Sequence, residues 1–124
     1  MKKFDLPHNH GKNKNTENAH TQLCAVEDFK VVADMFWNLG DTTRLRIFWL
    51  LCHREECVIN IAAIMEMSSP AIAHHLRFLK NSGLIVARRD GKETYYKAAD
   101  TPQVKLLHKT IEHVMDISCI NKSD

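Results

Sequence analysis

The stretch Val58–Leu84, VINIAAIMEMSSPAIAHHLRFLKNSGL, decides how the rest of the chain is read. Ile59, Ile61, Ala62, Ile64 and Met65 recur at helical spacing and predict a short helix with one apolar face. Ser68 or Ser69 then supplies an N-cap, and Pro70 falls at or near the first helical position, where its missing N–H costs little. A second helix buries Ile72, Leu76 and Leu79 at i, i+4, i+7 and stops at Asn81-Ser82-Gly83. Its other face carries Ser69, Ala73, His74 and Arg77. Small and hydrogen-bonding groups beside a cation form the surface a helix needs to enter a DNA major groove. An ordinary helical hairpin with a polar face would look the same over these residues, so the flanks must separate the two readings.

Downstream the period changes. Leu84–Arg89 is an extended run, Asp90-Gly91 is a two-residue hairpin signal, and Glu93–Lys97 supplies the returning strand. Arg88, Arg89, Lys92 and Lys97 surround the tip. Four cations directly after a helix–turn–helix predict a wing that touches phosphates rather than a merely solvated turn. Asp100 or Thr101 caps a last helix from Gln103 to about Ser118, striped by Val104, Leu107, Ile111, Val114 and Met115. Upstream, Phe29, Val32, Ala33, Phe36 and Trp37 place a helix over Val26–Leu39, closed by Gly40. Asp41 or Thr42 caps the next, Thr43–Cys52, with Arg44 and Arg46 projecting from its start, and His53–Glu56 is a charged loop. Nothing in so small a domain remains to cover the first and last stripes together, so pairing of two chains through those helices is expected. The fold class is mainly α with a β-hairpin: a winged helix–turn–helix in the order α-α-(HTH)-β-β-α, dimerising through its first and last helices.

A chain of 124 residues, 44% hydrophobic, holds one modest core. Its net charge of +2 is only weakly basic, so any attraction for nucleic acid comes from local clustering. Residues 1–22 are rich in Lys, Asn and His and read as a disordered tail, leaving 23–120 as the DNA-binding and dimerisation domain. The tail histidines His8, His10 and His20 are solvated or weak chelators. No apolar run spans a membrane, and the Met-Lys-Lys start leads into polar residues, so a cytoplasmic protein is expected. Cys24, Cys52, Cys57 and Cys119 are then free thiols, metal ligands or redox sensors rather than a disulfide framework. No HExxH, P-loop, nucleophile elbow or paired catalytic carboxylate occurs, so no enzyme is expected. A pure protein-interaction module would leave the cationic hairpin unexplained.

With these residues in this order, the chain resembles the ArsR/SmtB family of winged helix–turn–helix repressors over roughly residues 25–118. Leu39–Ile47, LGDTTRLRI, is like the family's LADPTRLRIL segment, and Glu56–Ala62, ECVINIA, is like ELCVCDLA. Ser68–Leu79 is like SQSAVSHHLRxLR, followed by Gly83-Leu84-Ile85, Arg88–Lys92 and Tyr95-Tyr96. The resemblance implies a homodimer on double-stranded, imperfectly palindromic operator DNA, released by an effector. It places Ser68, Ser69, Ala73 and His74 at base edges or nearby phosphates, and Arg77, Arg88, Arg89 and Lys92 on the backbone. Pro70 stands where the family usually has a polar residue, and can offer a thymine methyl only an apolar contact.

Three sensor sites are implied, and none is complete. Zinc-sensing relatives use Asp-x-His on one chain with His-x-x-His or His-x-x-Glu on the other; Asp100, His113 and Asp116 match, Pro102 does not, and water or His108 would complete the set. Relatives sensing arsenite, cadmium or lead use Cys-Val-Cys, of which Cys57-Val58-Ile59 keeps one thiol, with Cys52 and Cys24 as further soft-metal ligands. Redox-sensing relatives pair a second-helix cysteine with one in the last helix, loosely echoed by Cys52 and Cys119. The expected effector is a metal ion, zinc first, with another divalent or soft metal or a thiol signal as alternatives.

Overall fold

The computed structural model describes residues 6–8 and 16–119, with side chains through Asp116. His10 lies outside the described residues, as does the Cys119 side chain. The chain divides into two units, residues 1–33 and 34–124.

In the first unit, part of the expected tail is ordered: Thr16–Gln22 forms helix α1, none of whose residues is buried. The segment contains no Gly or Pro, and Glu17 in its first turn and His20 in its last both suit the helix dipole, so local preference makes a helix without a core. Helix α2 spans Val26–Leu39, as its spacing predicts.

The second unit is built on α3 (Thr42–His53), α4 (Val58–Met65), α5 (Ser69–Asn81) and α6 (Pro102–Cys119). Strands β1 (Glu56–Cys57), β2 (Ile85–Asp90) and β3 (Glu93–Ala98) form an antiparallel sheet in the order β1-β3-β2. Strand β1, absent from the sequence reading, exists because Glu56 and Cys57 pair with Tyr96 and Tyr95. The hairpin turn sits one residue later than predicted. Asp90 pairs with Glu93, leaving Gly91-Lys92 as the two central residues, and Gly91 takes the positive φ of 63° that the first of them requires.

The core draws Ile47, Phe48 and Leu51 from α3, Ile61, Ala62 and Met65 from α4, and Ile72, Leu76 and Leu79 from α5. Leu84, Ile85, Ala99 and Val104 of the β2 and α6 approaches close it. Ile59 and Ile64 do not join: they are 64% and 46% exposed. In an almost wholly apolar helix, spacing alone does not say which side faces in, and α5 and the sheet take only the Ile61–Met65 side.

The break between α4 and α5 is a Schellman turn. Met67 N–H donates to Ala62 C=O at 2.9 Å and Glu66 N–H to Ala63 C=O at 3.2 Å, with Glu66 left-handed at φ 55°. Helix α5 ends the same way: Leu84 N–H reaches Leu79 C=O and Gly83 N–H reaches Lys80 C=O, with Gly83 at φ 77°.

Candidate nucleic-acid interface

Ser68 is the N-cap of α5, its hydroxyl accepting from Ala71 N–H at 3.2 Å, and Pro70 follows inside the first turn. With Ile72, Leu76 and Leu79 fixed in the core, the opposite side exposes Pro70, His74 and Arg77 at i, i+4, i+7, flanked by half-buried Ser69 and Ala73. The predicted recognition residues are therefore brought to one face. Ser68 is committed first to its own helix, although its hydroxyl hydrogen remains free to donate.

Arg44 does not project from α3 as the sequence suggested. It is 8% exposed, whereas Arg46 is exposed. Its Nε donates to His75 Nδ1 at 3.3 Å and its Nη1 to Asn38 Oδ1 at 3.2 Å. Its guanidinium carbon lies 4.4 Å from the Phe78 ring centroid and 5.1 Å from that of Trp37. Asn38, 2% exposed, donates in turn to Asp34 C=O at 2.9 Å. Burial, opposed by the charge of Asp41 and reinforced by those of Arg44 and His74, holds the His75 imidazole below the ordinary histidine value. In the sequence Arg44 reads as an exposed cation, and nothing there gives Asn38, His75 or Phe78 a part in holding it.

The wing cations differ in availability. Arg88 Nε donates to both Glu55 carboxylate oxygens at 3.0 and 2.9 Å, and its Nη2 to Oε1 at 2.7 Å. Its Nη1 also stands 3.6 Å from Asp90, and its guanidinium lies over Tyr95. The Glu55 carboxylate draws the Arg88 value up, and Arg88 draws that of Glu55 down. Arg89 spends its Nε on Gly91 C=O, while Arg77 and Lys92 have no side-chain partner among the described residues. Buried Glu56, at the start of β1, is satisfied locally by Asn60 and Arg54.

The sensor residues are not gathered within one chain. Among the described residues no three His, Cys, Asp or Glu side chains converge to hold a metal. His113 and Asp116 share one open face of α6 with Lys109 and Glu112, but Asp100 precedes the helix and is paired with Lys105 at 2.9 Å. Thirteen positions separate Asp100 from His113, roughly 20 Å at 1.5 Å per residue. A single chain therefore does not fit a zinc ion at these residues. His108, the proposed fourth ligand, turns away. Its ring packs against Trp49 and His53 at 5.1 and 4.8 Å, its Nε2 lies 3.3 Å from Glu112, and a five-residue step puts it on a different face from His113.

The thiols are no better assembled. Cys24 is exposed in the first unit, with its Sγ donating to His20 C=O, and Cys57 is buried at the N-cap position of α4. Burial, then the charge of Glu112, pushes the Cys52 thiol up to about 12, far from a reactive thiolate.

A helix–turn–helix held by a shared core, an exposed recognition stripe and an adjoining β-hairpin define a winged helix–turn–helix DNA-binding domain. Among solved structures, a homodimeric domain of this kind from a possible ArsR-family transcriptional regulator of Mycobacterium bovis matches with a TM-score of 0.69 and 31% identity, over 76% of this chain and 86% of that one. The profile of the bacterial regulatory proteins of the arsR family matches residues 41–86. A transcriptional repressor SmtB homolog from Synechocystis is 32% identical, over 77% of this chain and 72% of its own. A cadmium resistance regulatory protein CadC homolog from Staphylococcus aureus is 38% identical, over 72% and 74%. The chain belongs to the arsR family: it is a transcriptional repressor of the ArsR/SmtB type, and not an enzyme. No described helix is long and apolar enough to cross a membrane.

Proposed function

We propose that the protein works in the cytoplasm as a homodimer on double-stranded operator DNA and releases it when an effector binds, a metal ion and zinc first. The observation that carries the DNA reading is the exposed Pro70–His74–Arg77 stripe on a helix whose other side is immobilised in the core. Ser68, Ser69 and Ala73 flank base edges in this reading, and Arg89 and Lys92 reach the backbone beyond. Dimerisation is supported by large apolar side chains left exposed on α2 (Phe36, Trp37) and on α6 (Val114, Met115). The homodimeric relative from M. bovis points the same way.

For the effector, His113 and Asp116 lie three positions apart on one face of α6, as two ligands of a tetrahedral ion can. Asp100 of the second chain would complete a three-residue set, with water as a fourth ligand. Zinc there would favour the dimer that does not fit DNA and shift the population toward it. The thiol alternative, through Cys24, Cys52, Cys57 and Cys119, is weaker because Cys52 is a poor thiolate.

The test is binding to the DNA upstream of the chain's own gene, at several salt concentrations, titrated with zinc, cadmium, arsenite and oxidant. A repressor gives selective, salt-dependent binding, and flat, unselective binding refutes it. Zinc that releases DNA equally from wild type and His113→Ala rules out the α6 site; release lost in Cys57→Ser transfers the role to the thiols.

A further inference from the structure

Arg44 is an unusual buried cation because none of the hydrogen bonds from its guanidinium goes to a carboxylate. Asp41, whose charge interacts with that of Arg44, accepts instead from the Arg44 backbone N–H at 3.0 Å. The guanidinium is held by neutral groups: Asn38 from the end of α2, His75 from α5, and the rings of Trp37 and Phe78. Asn38 is itself locked to Asp34 C=O, so an unbroken chain of hydrogen bonds runs from the backbone of α2 through α3 to the recognition helix. His75 adjoins His74 and lies two positions before Arg77, the exposed residues that face DNA in the reading above.

We propose that Arg44 is a positioning residue for DNA reading, which sets the recognition helix through a hydrogen bond that forms only while His75 is neutral. The inference rests on α5 being the DNA-reading helix. Its chemistry is forced by Arg44, which can only donate, so His75 Nδ1 must accept and the ring proton must sit on Nε2. Protonating His75 turns Nδ1 into a donor facing a donor and sets a second cation, itself half-buried, beside buried Arg44. The groups facing His75 are Arg44 and Asp41 from α3 and its N-cap and His74 from α5, with uncharged Asn38 and Trp37 completing the cluster from α2. Arg44 and His74 disfavour the imidazolium and Asp41 favours it; burial decides for the neutral form. The bond is therefore present at neutral pH and lost as pH falls through the folded-state value of His75, which lies below 6.5.

Helix packing still holds α5 when the bond breaks, so the protein stays folded and binds DNA, but its recognition stripe is no longer fixed in register. Selective affinity falls while unselective phosphate binding does not, and a merely structural role for Arg44 would lower both together. The experiment measures affinity for the upstream duplex and for a scrambled duplex of equal length at about pH 7.5 and about pH 5.0, the lower value set well under an ordinary histidine because burial lowers His75. Wild type should lose about tenfold in selectivity at the lower pH, the effect of one hydrogen bond to a charged group. His75→Asn puts a non-titrating acceptor, Oδ1, in the place of Nδ1 and should bring the ratio between the two pH values close to one. His75→Phe keeps the ring bulk, removes the acceptor, and should show poor selectivity at both pH values. Every other titrating group is common to all three proteins, so differences among them isolate His75. Thermal melting checks that each is folded, and His75→Asn decides alone if His75→Phe is not. A wild-type pH ratio retained in His75→Asn, or a wild type without pH-dependent selectivity, overturns the inference alone. A wild type with no preference for the upstream duplex at about pH 7.5 overturns the DNA reading as well.

Discussion

Removing Arg88 should leave the salt dependence of DNA binding almost unchanged, although it stands among the wing cations. Its guanidinium makes three hydrogen bonds to Glu55, stands 3.6 Å from Asp90, and packs over Tyr95. Two carboxylates already neutralise it, and a phosphate would have to displace a bidentate partner positioned by the fold. Lys92, in the turn, has no such partner among the described residues. Each cation that neutralises a phosphate steepens the plot of log K against log salt by about 0.9. Through the two wings of a dimer, Lys92→Ala should therefore flatten that slope by about 1.8, and Arg88→Ala by close to zero. Arg88→Ala should lower affinity somewhat, because it leaves the Glu55 charge facing the DNA, but that repulsion is not counterion release. Glu55→Gln is the reciprocal test: it frees Arg88 and should steepen the slope by up to about 1.8. Fluorescence anisotropy on a labelled upstream duplex, over about 50–300 mM KCl, reads all of these slopes. If Arg88→Ala flattens the slope as much as Lys92→Ala, then Arg88 trades Glu55 for phosphate on binding and the reasoning fails.

Three further outcomes follow from local geometry. Glu66 occupies a left-handed position at φ 55°, so Glu66→Gly should stabilise the fold by about 1 kcal/mol and raise Tm by about 4 °C, and an unchanged or lower Tm would show that the side chain repays its strain. Asp41→Ala removes the acceptor for Arg44 N–H and should cost about 1 kcal/mol in urea unfolding at neutral pH. That same backbone hydrogen bond holds the Asp41 carboxyl below 3.8, so its stabilisation is present above that value and disappears as pH falls through the lower folded-state value; wild type and variant should converge in acid, and a constant difference would contradict the cap. Because burial pushes Cys52 up to about 12, iodoacetamide should alkylate it far more slowly than exposed Cys24 in the folded protein, as followed by mass spectrometry of the labelled peptides. Equal labelling rates would reopen Cys52 as a sensor thiol.

The recognition helix could be read from sequence because its determinants are local. A serine cap, a proline in the first turn and apolar residues at i, i+4 and i+7 act within the helix itself. The same logic failed where partners lie far along the chain. Strand β1 has only Glu56 and Cys57, too short for any period, and becomes a strand by pairing with Tyr95 and Tyr96. Arg44 and Arg46 look alike in TRLRI, but two residues rotate a helix by about 200°, so one faces His75 and the other solvent. Arg88 reads as a free wing cation until Glu55, from the loop after α3, is seen beside it. In each case a side chain's role depends on a residue the local pattern cannot place.

In the proposed reading the sensor residues carry this point furthest, because their partners would lie beyond the chain itself. His113 and Asp116 face outward from α6, on the part of the helix where Val114 and Met115 are also exposed. Apolar residues that need a cover and polar residues that need further ligands thus alternate along the same turns. Covering the first with a second chain is what would bring new donors to the second. Asp100 could then serve only by leaving Lys105, so metal binding would trade an exposed ion pair, which contributes little, for coordination across the interface. Such an exchange would tie ligand affinity to the relative placement of two α6 helices, and with it to the spacing of two recognition helices. That dependence on interface geometry would be the differential affinity an effector needs in order to move the DNA-binding equilibrium at all.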